Sequence, residues 1–527
     1  MNVPPFPADY RSSGVLLHVT SLPSPYGIGD FGPTAVAWID RLHDAAQSWW
    51  QLLPLGPLGY GDSPYQALSA FAGNVLLISP EWLIEDGLVQ ASDCSGPSFC
   101  ATCVDFEAVR EFKSRLLDIA WKNFRAGRRS DLRLAFEQFG QDHARWLDDY
   151  ALFRALRAKY EGAGYLCWPE PLVRRVPEAL DRARRDLAVE VERVRFAQYL
   201  WFRQAKRLHA YARAQGVALL GDLPFFVSPE SSDVWSHPEL FLLDEQHRPR
   251  VVAGVPPDYF SARGQLWGNP TYDWDALQAS GYQWWIDRAR ALLAYVDTIR
   301  LDHFRGFAAA WHIPASAATA ESGRWVPGPG ASLFGAVYKA LDGLPFVAED
   351  LGVITPDVSV LRDAFRLPRT RVLQFAFDED PDNPHLPGNY VHNTVVYTGT
   401  HDNSTTRGWY EEMPEAGRRR LWRAARRAEG ADANAAASLL ELAWSSVAAL
   451  AVAPVQDVLN LGNDARMNQP GTAHGNWRWR APADLLSATA LDSLRALTQG
   501  SCRSAAVRPV SARRAPSEQP AAADRST

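Results

Sequence analysis

Eight short runs of β-forming residues are spread along the chain, and each ends in a polar, Gly-rich or Pro-rich loop. They read GVLLHVTSL (14–22), WWQLLPLGP (49–57), GVALLGDLPF (216–225), YVDTIRLDHF (295–304), LPFVAEDLG (344–352), RVLQFAF (371–377), TVVYTGTHDN (394–403) and ALAVAPVQDVL (449–459). Most are followed by a segment of helical periodicity, and strands alternating with helices are the pattern of βα units that build a parallel sheet. Eight such units predict an α/β fold, a (β/α)8 TIM barrel. A chain of 527 residues suggests several domains by length alone, but barrels carrying insertions exceed that rule. The uneven spacing places the insertions. Residues about 80–200, rich in Arg, Glu, Leu and Ala, predict a mainly helical insertion. Residues about 226–275 predict a loop insertion, as long as binding loops and lids are. One barrel over residues 1–500 accounts for the pattern, with no block of strands after residue 480 to form a C-terminal β-sandwich. The stretch 501–527 is Pro-, Ala-, Ser- and Arg-rich and predicts a disordered tail.

Composition narrows the partner. A formal net charge of -6 gives no overall cationic field, which disfavours nucleic acid and anionic membrane and favours a neutral ligand. The 20 Trp exceed what a core needs. Aromatic platforms suit flat, weakly polar faces such as sugar rings, although packing accounts for most of them. Cys94, Cys100, Cys103, Cys167 and Cys502 make no even framework, and CATC (100–103) has no second pair to complete a zinc site. Free thiols in a reducing compartment are expected, with no metal. The start MNVPPFPADYRSSG lacks a basic and then apolar leader, and no long apolar run follows, so a cytoplasmic protein that does not enter the membrane is expected.

The chemistry is concentrated at strand ends. In VDTIRLDHFRG (296–306) side chains alternate, so Thr298, Arg300 and Asp302 share one face and Ile299 and Leu301 the other. The polar set faces the lumen near the C-terminal end of the barrel, where reacting groups of such barrels sit. LPFVAED delivers Glu349 in the same way, and VVYTGTHDN delivers Asp402 with His401 beside it. Three carboxylates without a His/Cys cluster suit glycosidic-bond chemistry: one attacks, one protonates the leaving oxygen, and charge is stabilised around them. Arg300 is expected to hold Asp302 ionised, and nearby negative charge and partial burial to raise the Glu349 pKa. For any one acid at a strand end, a helix cap or an ion pair explains it equally well.

IRLDHFRG, FVAEDLG and YTGTHDN resemble the catalytic motifs of the 4-α-glucanotransferases called amylomaltase or disproportionating enzyme, within the α-amylase clan. The resemblance runs from GVLLHVTSLPSPYGIGDFG (14–32) through YGDSPYQALSAFAGN (60–74), GDLPFFVSPESSDVW (221–235) and GVPPDYFSARGQLWGNP (254–270) to VQDVLNLGNDARMNQPGTAHGNWRWR (455–480). It implies Asp302 as nucleophile, Glu349 as general acid/base and Asp402 as transition-state stabiliser. It further implies Arg300, His303 and His401 as partners of the sugar or the nucleophile, and Asp222 as support. Tyr60, Asp62, Ser63 and Tyr65 resemble a donor-side segment. Asp258, Tyr259, Gln265 and Trp267 belong to a loop like the family's flexible active-site loop, which would cover the bound chain. Asn463 and Asn468 are placed facing the site, without a specific role, and NWRWR (476–480) reads as core packing.

The activity implied is transfer of an α-1,4-glucan segment to the 4-hydroxyl of another glucan or glucose, by a retaining double displacement with no cofactor. Maltooligosaccharides are the expected partners. A hydrolase of the same fold, or a glucan-binding scaffold without turnover, are the alternatives. The chain begins almost at the first strand and so resembles the short form of the family.

Overall fold

The computed structural model describes residues 6–503, leaving aside residues 8, 128, 258–262, 427–434, 473 and 488. In chain order its strands are β1 (Ser12–Leu16), β2 (Trp49–Gln51), β3 (Ala218–Leu223), β4 (Val251–Val255), β5 (Gln265–Pro270), β6 (Thr298–Leu301), β7 (Ala309–Pro314), β8 (Arg324–Pro327), β9 (Phe346–Ala348), β10 (Arg369–Val372), β11 (Thr394–Tyr397) and β12 (Leu450–Pro454). Each of the eight runs contributes one strand to a single parallel sheet, ordered β10-β11-β12-β1-β2-β3-β6-β9. Its two ends meet: the Ala348 N–H donates to Pro368 O at 2.9 Å and Thr370 Oγ1 to Ala348 O at 2.9 Å. The sheet is thus a nearly closed barrel wrapped by helices.

The period of two sorts the strand residues. Val15, Trp50, Leu219 and Ile299 point outward into the main core beneath the helices. Leu16, Trp49, Leu220, Val347, Val395, Tyr397 and Val452 point inward and fill the barrel. At the N-terminal end of the strands Phe6 stacks on Tyr10, with ring centroids 5.3 Å apart, and meets Trp49 edge-on at 5.7 Å. Apolar packing therefore seals one end, and the polar members of the inward set are left at the other.

Between β2 and β3 run helices Phe106–Arg125, Ser130–Asp142, Ala144–Lys159, Pro177–Asp186 and Ala188–Ala214. The Asp105 side chain accepts from Glu107 N and Ala108 N and starts the first of them. Phe124 and Phe196, stacked at 4.4 Å with Trp121 and Phe136 around them, join the helices to each other.

Residues 226–275 are not merely a loop. They carry β4 and β5, which join β7 and β8 in an antiparallel sheet ordered β5-β4-β7-β8. β4 pairs with β7 about sixty positions on (Val251↔Pro314, Val252↔Ile313), a partner that no local pattern reveals. Residues 501–503, counted with the expected tail, are ordered against the barrel. Arg503 is fully buried, and its guanidinium donates to the carbonyls of Ser12, Trp444, Ala448, Ala443 and Ser446. Residues 504–527 lie outside the described residues. Among the described residues no strand follows β12, and no helix is long and apolar enough to cross a membrane.

Candidate active site

β3, β6 and β9 are neighbours, and their register aligns Asp222 with Arg300 and Arg300 with Val347. Register partners in a parallel pair share a face, as do residues two apart along a strand. Asp222, Arg300 and Asp302 are therefore brought together by the sheet itself. Arg300 Nη1 donates to Asp222 Oδ1 at 2.9 Å, to Asp222 Oδ2 at 2.8 Å and to Asp302 Oδ1 at 3.0 Å. Asp222 is fully enclosed, whereas the Asp302 side chain keeps 26% exposure. The second Asp222 oxygen also accepts from the Tyr65 hydroxyl at 2.7 Å.

Glu349 follows β9 directly, and two backbone N–H groups fix its carboxyl: His303 N to Oε2 at 2.7 Å and Leu351 N to Oε1 at 3.0 Å. The first bond needs an unusual backbone, because His303 sits in the left-handed region (φ 49°, ψ 50°). That turn points the N–H away from a β ladder and towards Glu349. Asp402 follows β11, half-exposed, with Oδ1 receiving Asn468 Nδ2 at 2.6 Å and lying 3.4 Å from His401 Nε2. Arg466 Nη2 donates to the Asp402 carbonyl at 2.6 Å. The loop is tied down by the buried carboxylate of Asp457, which accepts from Thr398 Oγ1 at 2.6 Å and from Thr406 N and Oγ1 at 2.7 Å each.

Burial raises both central carboxyls. Asp302 is pushed up to about 7, with Asp222 and Asp402 adding to burial and Arg300 opposing it. Glu349 is pushed up to about 8 by burial and the Asp302 charge, against Arg300 and its two N–H donors. Arg300 lowers Asp302 as expected, but burial outweighs it, so the net shift is upward and the expectation that Asp302 is simply held ionised needs correcting. The two carboxyls titrate as a pair, both above the usual carboxylate range. Burial lowers the His303 pKa to about 3 and lowers that of His401 as well, so both rings are neutral. Burial, then the Asp222 charge, raises the Tyr65 hydroxyl well above its usual value.

Aromatic rings frame the carboxylates. Tyr65 stacks on His401 at 5.3 Å with 10° between planes, and Trp477 tilts against both at 5.7 and 5.9 Å. On the opposite side Trp267 meets His303 edge-on at 5.0 Å and donates to Gln265 Oε1 at 3.1 Å. Of the donor-side segment, Tyr65 alone joins the carboxylate network. Tyr60 is 76% exposed, Asp62 pairs with Arg110, and the Ser63 hydroxyl accepts from Tyr65 N at 3.2 Å. Asn463 is not drawn into that network: it accepts from Thr405 N at 3.1 Å and donates to Glu412 Oε1 at 3.0 Å. Its neighbour Asn468 reaches Asp402 instead. Asp258 and Tyr259 lie outside the described residues. Sequence reasoning missed Arg466 and Asp457, and it gave no contact to Asn468. Only the polar run NDARMNQ in a loop-rich segment hinted at the first and last of these. No group of three His, Cys, Asp or Glu placed to hold a metal exists among the described residues.

A family profile described as 4-alpha-glucanotransferase matches residues 17–486. The 4-alpha-glucanotransferase of a Synechocystis strain is 50% identical over 485 residues, covering 91% of this chain and 95% of its own. That of Thermus thermophilus is 48% identical over 501 residues, covering 94% and 99%. Among solved structures, amylomaltase from Streptococcus agalactiae in complex with acarbose superposes with a TM-score of 0.90 at 36% identity, covering 94% of this chain and 99% of its own. Amylomaltase from Corynebacterium glutamicum, at 18% identity and a TM-score of 0.68, shares the fold. This chain belongs to the 4-alpha-glucanotransferase family, a family of glycosyltransferases.

Proposed function

We propose that the enzyme moves a segment of an α-1,4-glucan to the 4-hydroxyl of a second glucan or of glucose, by double displacement on Asp302. The observation that carries this reading is the placing of two fixed carboxyls at neighbouring strand ends: Asp302 held by Arg300 and Glu349 held by two backbone N–H groups, both raised by burial. In the first step an Asp302 oxygen attacks the anomeric carbon while Glu349 gives its proton to the departing 4-oxygen. In the second, Glu349 takes the proton of the acceptor 4-hydroxyl, whose oxygen displaces Asp302. Two inversions retain the configuration, and no cofactor is needed.

Asp402, held by Asn468, presents a carboxylate to the positive charge that develops on the sugar ring. Arg300, the neutral His303 and His401, and Tyr65 complete the polar lining around the ring. Gln265 and Trp267 stand beside His303 at the edge of the carboxylate cluster, and we assign them, with Asp258 and Tyr259, to substrate contact. Tyr60, Asp62, Ser63 and Asn463 fall outside the hydrogen-bonded cluster, and we assign them at most to outer glucose units. The acarbose complex of the S. agalactiae relative supports a saccharide-binding cleft. An odd set of five cysteines with no even framework suits a reducing compartment, and we place the enzyme in the cytoplasm.

The test is incubation with maltotriose and chromatography of the products. Glucose together with a ladder of longer maltooligosaccharides is expected, and Asp302→Asn should lower the rate by about 10³-fold or more, the loss typical of removing a nucleophile. Glucose and maltose without longer chains would mean that water is the acceptor and that the transferase reading fails.

A further inference from the structure

Cys100 and Cys103, the two cysteines of CATC, stand apart from the carboxylate cluster and take no part in the transfer chemistry. Their sulfurs are in direct contact, so no rearrangement of the backbone is needed to bring them within bonding reach. Cys100 is exposed and Cys103 is half-buried, so an oxidant in solution meets Cys100 first.

The backbone around the pair is fixed. Cys103 pairs with Trp479 in an antiparallel bridge, Val104 N donates to Arg478 O at 2.7 Å, and Arg480 N donates to Thr102 O at 2.9 Å. Arg480 supplies a second, independent observation. It is only 4% exposed, and its Nη2 donates to Ser24 O at 2.8 Å, but Nε and Nη1 are buried without an acceptor among the described residues. Its charge acts on both cysteines. A positive charge beside the pair favours the thiolate, the form in which a cysteine attacks. The hydrogen bond from Cys103, with those from Thr102, lowers the Cys100 thiol to about 7.

We propose that Cys100 and Cys103 form a reversible dithiol–disulfide couple, with Cys100 attacking and Cys103 resolving, oxidised by low-molecular-weight disulfides. The Cys100 thiolate attacks one sulfur of the external disulfide, forming a mixed disulfide and releasing one thiolate. Cys103 then attacks Cys100 Sγ, and its proton leaves with the second external thiol. Two electrons pass from the protein to the external disulfide, which ends as two thiols. The product closes a small ring on the segment 478–480, one residue from the Trp477 ring that touches Tyr65 and His401.

The experiment equilibrates the reduced full-length protein with mixtures of reduced and oxidised glutathione. Remaining thiols are then blocked with a maleimide, and peptides are read by mass spectrometry. The peptide carrying both cysteines is expected to lose the mass of two hydrogens and to escape labelling, and dithiothreitol should restore it. Cys94, Cys167 and Cys502 should stay labelled. Cys103→Ser should stop at a glutathione adduct on Cys100, because the resolving sulfur is gone. A pair that labels at every glutathione ratio, a wild-type protein that stops at the adduct, or a bond from either sulfur to Cys94 would each overturn the proposal.

Discussion

Arg300 divides one guanidinium nitrogen between Asp222 beneath it and Asp302 in front of it, and that division sets how the site titrates. Asp302 must be ionised to attack, so activity rises with pH through about 7; Glu349 must carry its proton to assist departure, so activity falls through about 8. A narrow bell in kcat/KM is expected, and initial rates of maltotriose disproportionation across pH 5 to 10 check it. The two limbs belong to the pair as a unit. Asp222 raises Asp302 and competes for Arg300, so Asp222→Asn should move the acid limb to lower pH while lowering stability, because Arg300 loses its buried partner. A limb that stays in place would show that burial alone sets it. Much of this cluster could be read from the sequence. Alternation in TIRLD puts Arg300 and Asp302 on one face, and a strand end delivers Glu349. What the sequence hid was Asp222 as a rival for the guanidinium, which depends on the register of β3 against β6. Burial, the larger cause, was hidden too, and it outweighs the lowering by Arg300 that the local pattern predicts.

The elements that carry these side chains are held from behind. The β11 loop with His401 and Asp402 is pinned by Asp457 through Thr398 and Thr406, and in front by Asn468 and Arg466. Asp457→Ala leaves an N–H and two hydroxyls without their acceptor in a buried place, at about 1–3 kcal/mol for each unsatisfied group. A lower unfolding temperature and a kcat that falls more than KM changes are expected, measured by calorimetry and initial rates. An unchanged kcat in a destabilised protein would mean that Asp402 does not need this support. All eight barrel strands were legible because each is a short apolar or β-branched run ending in a polar, Gly-rich or Pro-rich loop. β4 and β5 were not, because they lie in the stretch 226–275 that reads as a loop insertion and their partners β7 and β8 come later in the chain. Asn463 and Asn468 show the same limit at closer range. Both lie in one polar loop, and only the folded turn decides that Asn468 meets Asp402 while Asn463 caps its neighbours.

At the scale of the whole molecule, the barrel is closed at one end by aromatic packing and tied at its margin by Arg503, which gathers carbonyls from β1 and from the segment between residues 443 and 448. Arg503→Ala should cost about 2–4 kcal/mol, since several buried carbonyls lose a charged donor at once, and should leave kcat/KM unchanged far from the cleft. Thermal unfolding beside a rate assay checks both. Composition gave no sign of this anchor, because a single Arg in a Pro- and Ala-rich stretch looks like any other tail residue. The rings of Tyr65, Trp267 and Trp477 frame the carboxylates, and the double displacement requires one bond, that between Asp302 and the transferred glucan. The most direct measurement is to trap it. The enzyme is treated with a 5-fluoro-α-glucosyl fluoride, which forms the intermediate faster than it breaks down, and the labelled peptide is identified by mass spectrometry. A glucosyl adduct on Asp302, absent from Asp302→Asn, is the result predicted. An adduct on Glu349 or Asp402, or turnover with no adduct on any carboxylate, would contradict the double displacement.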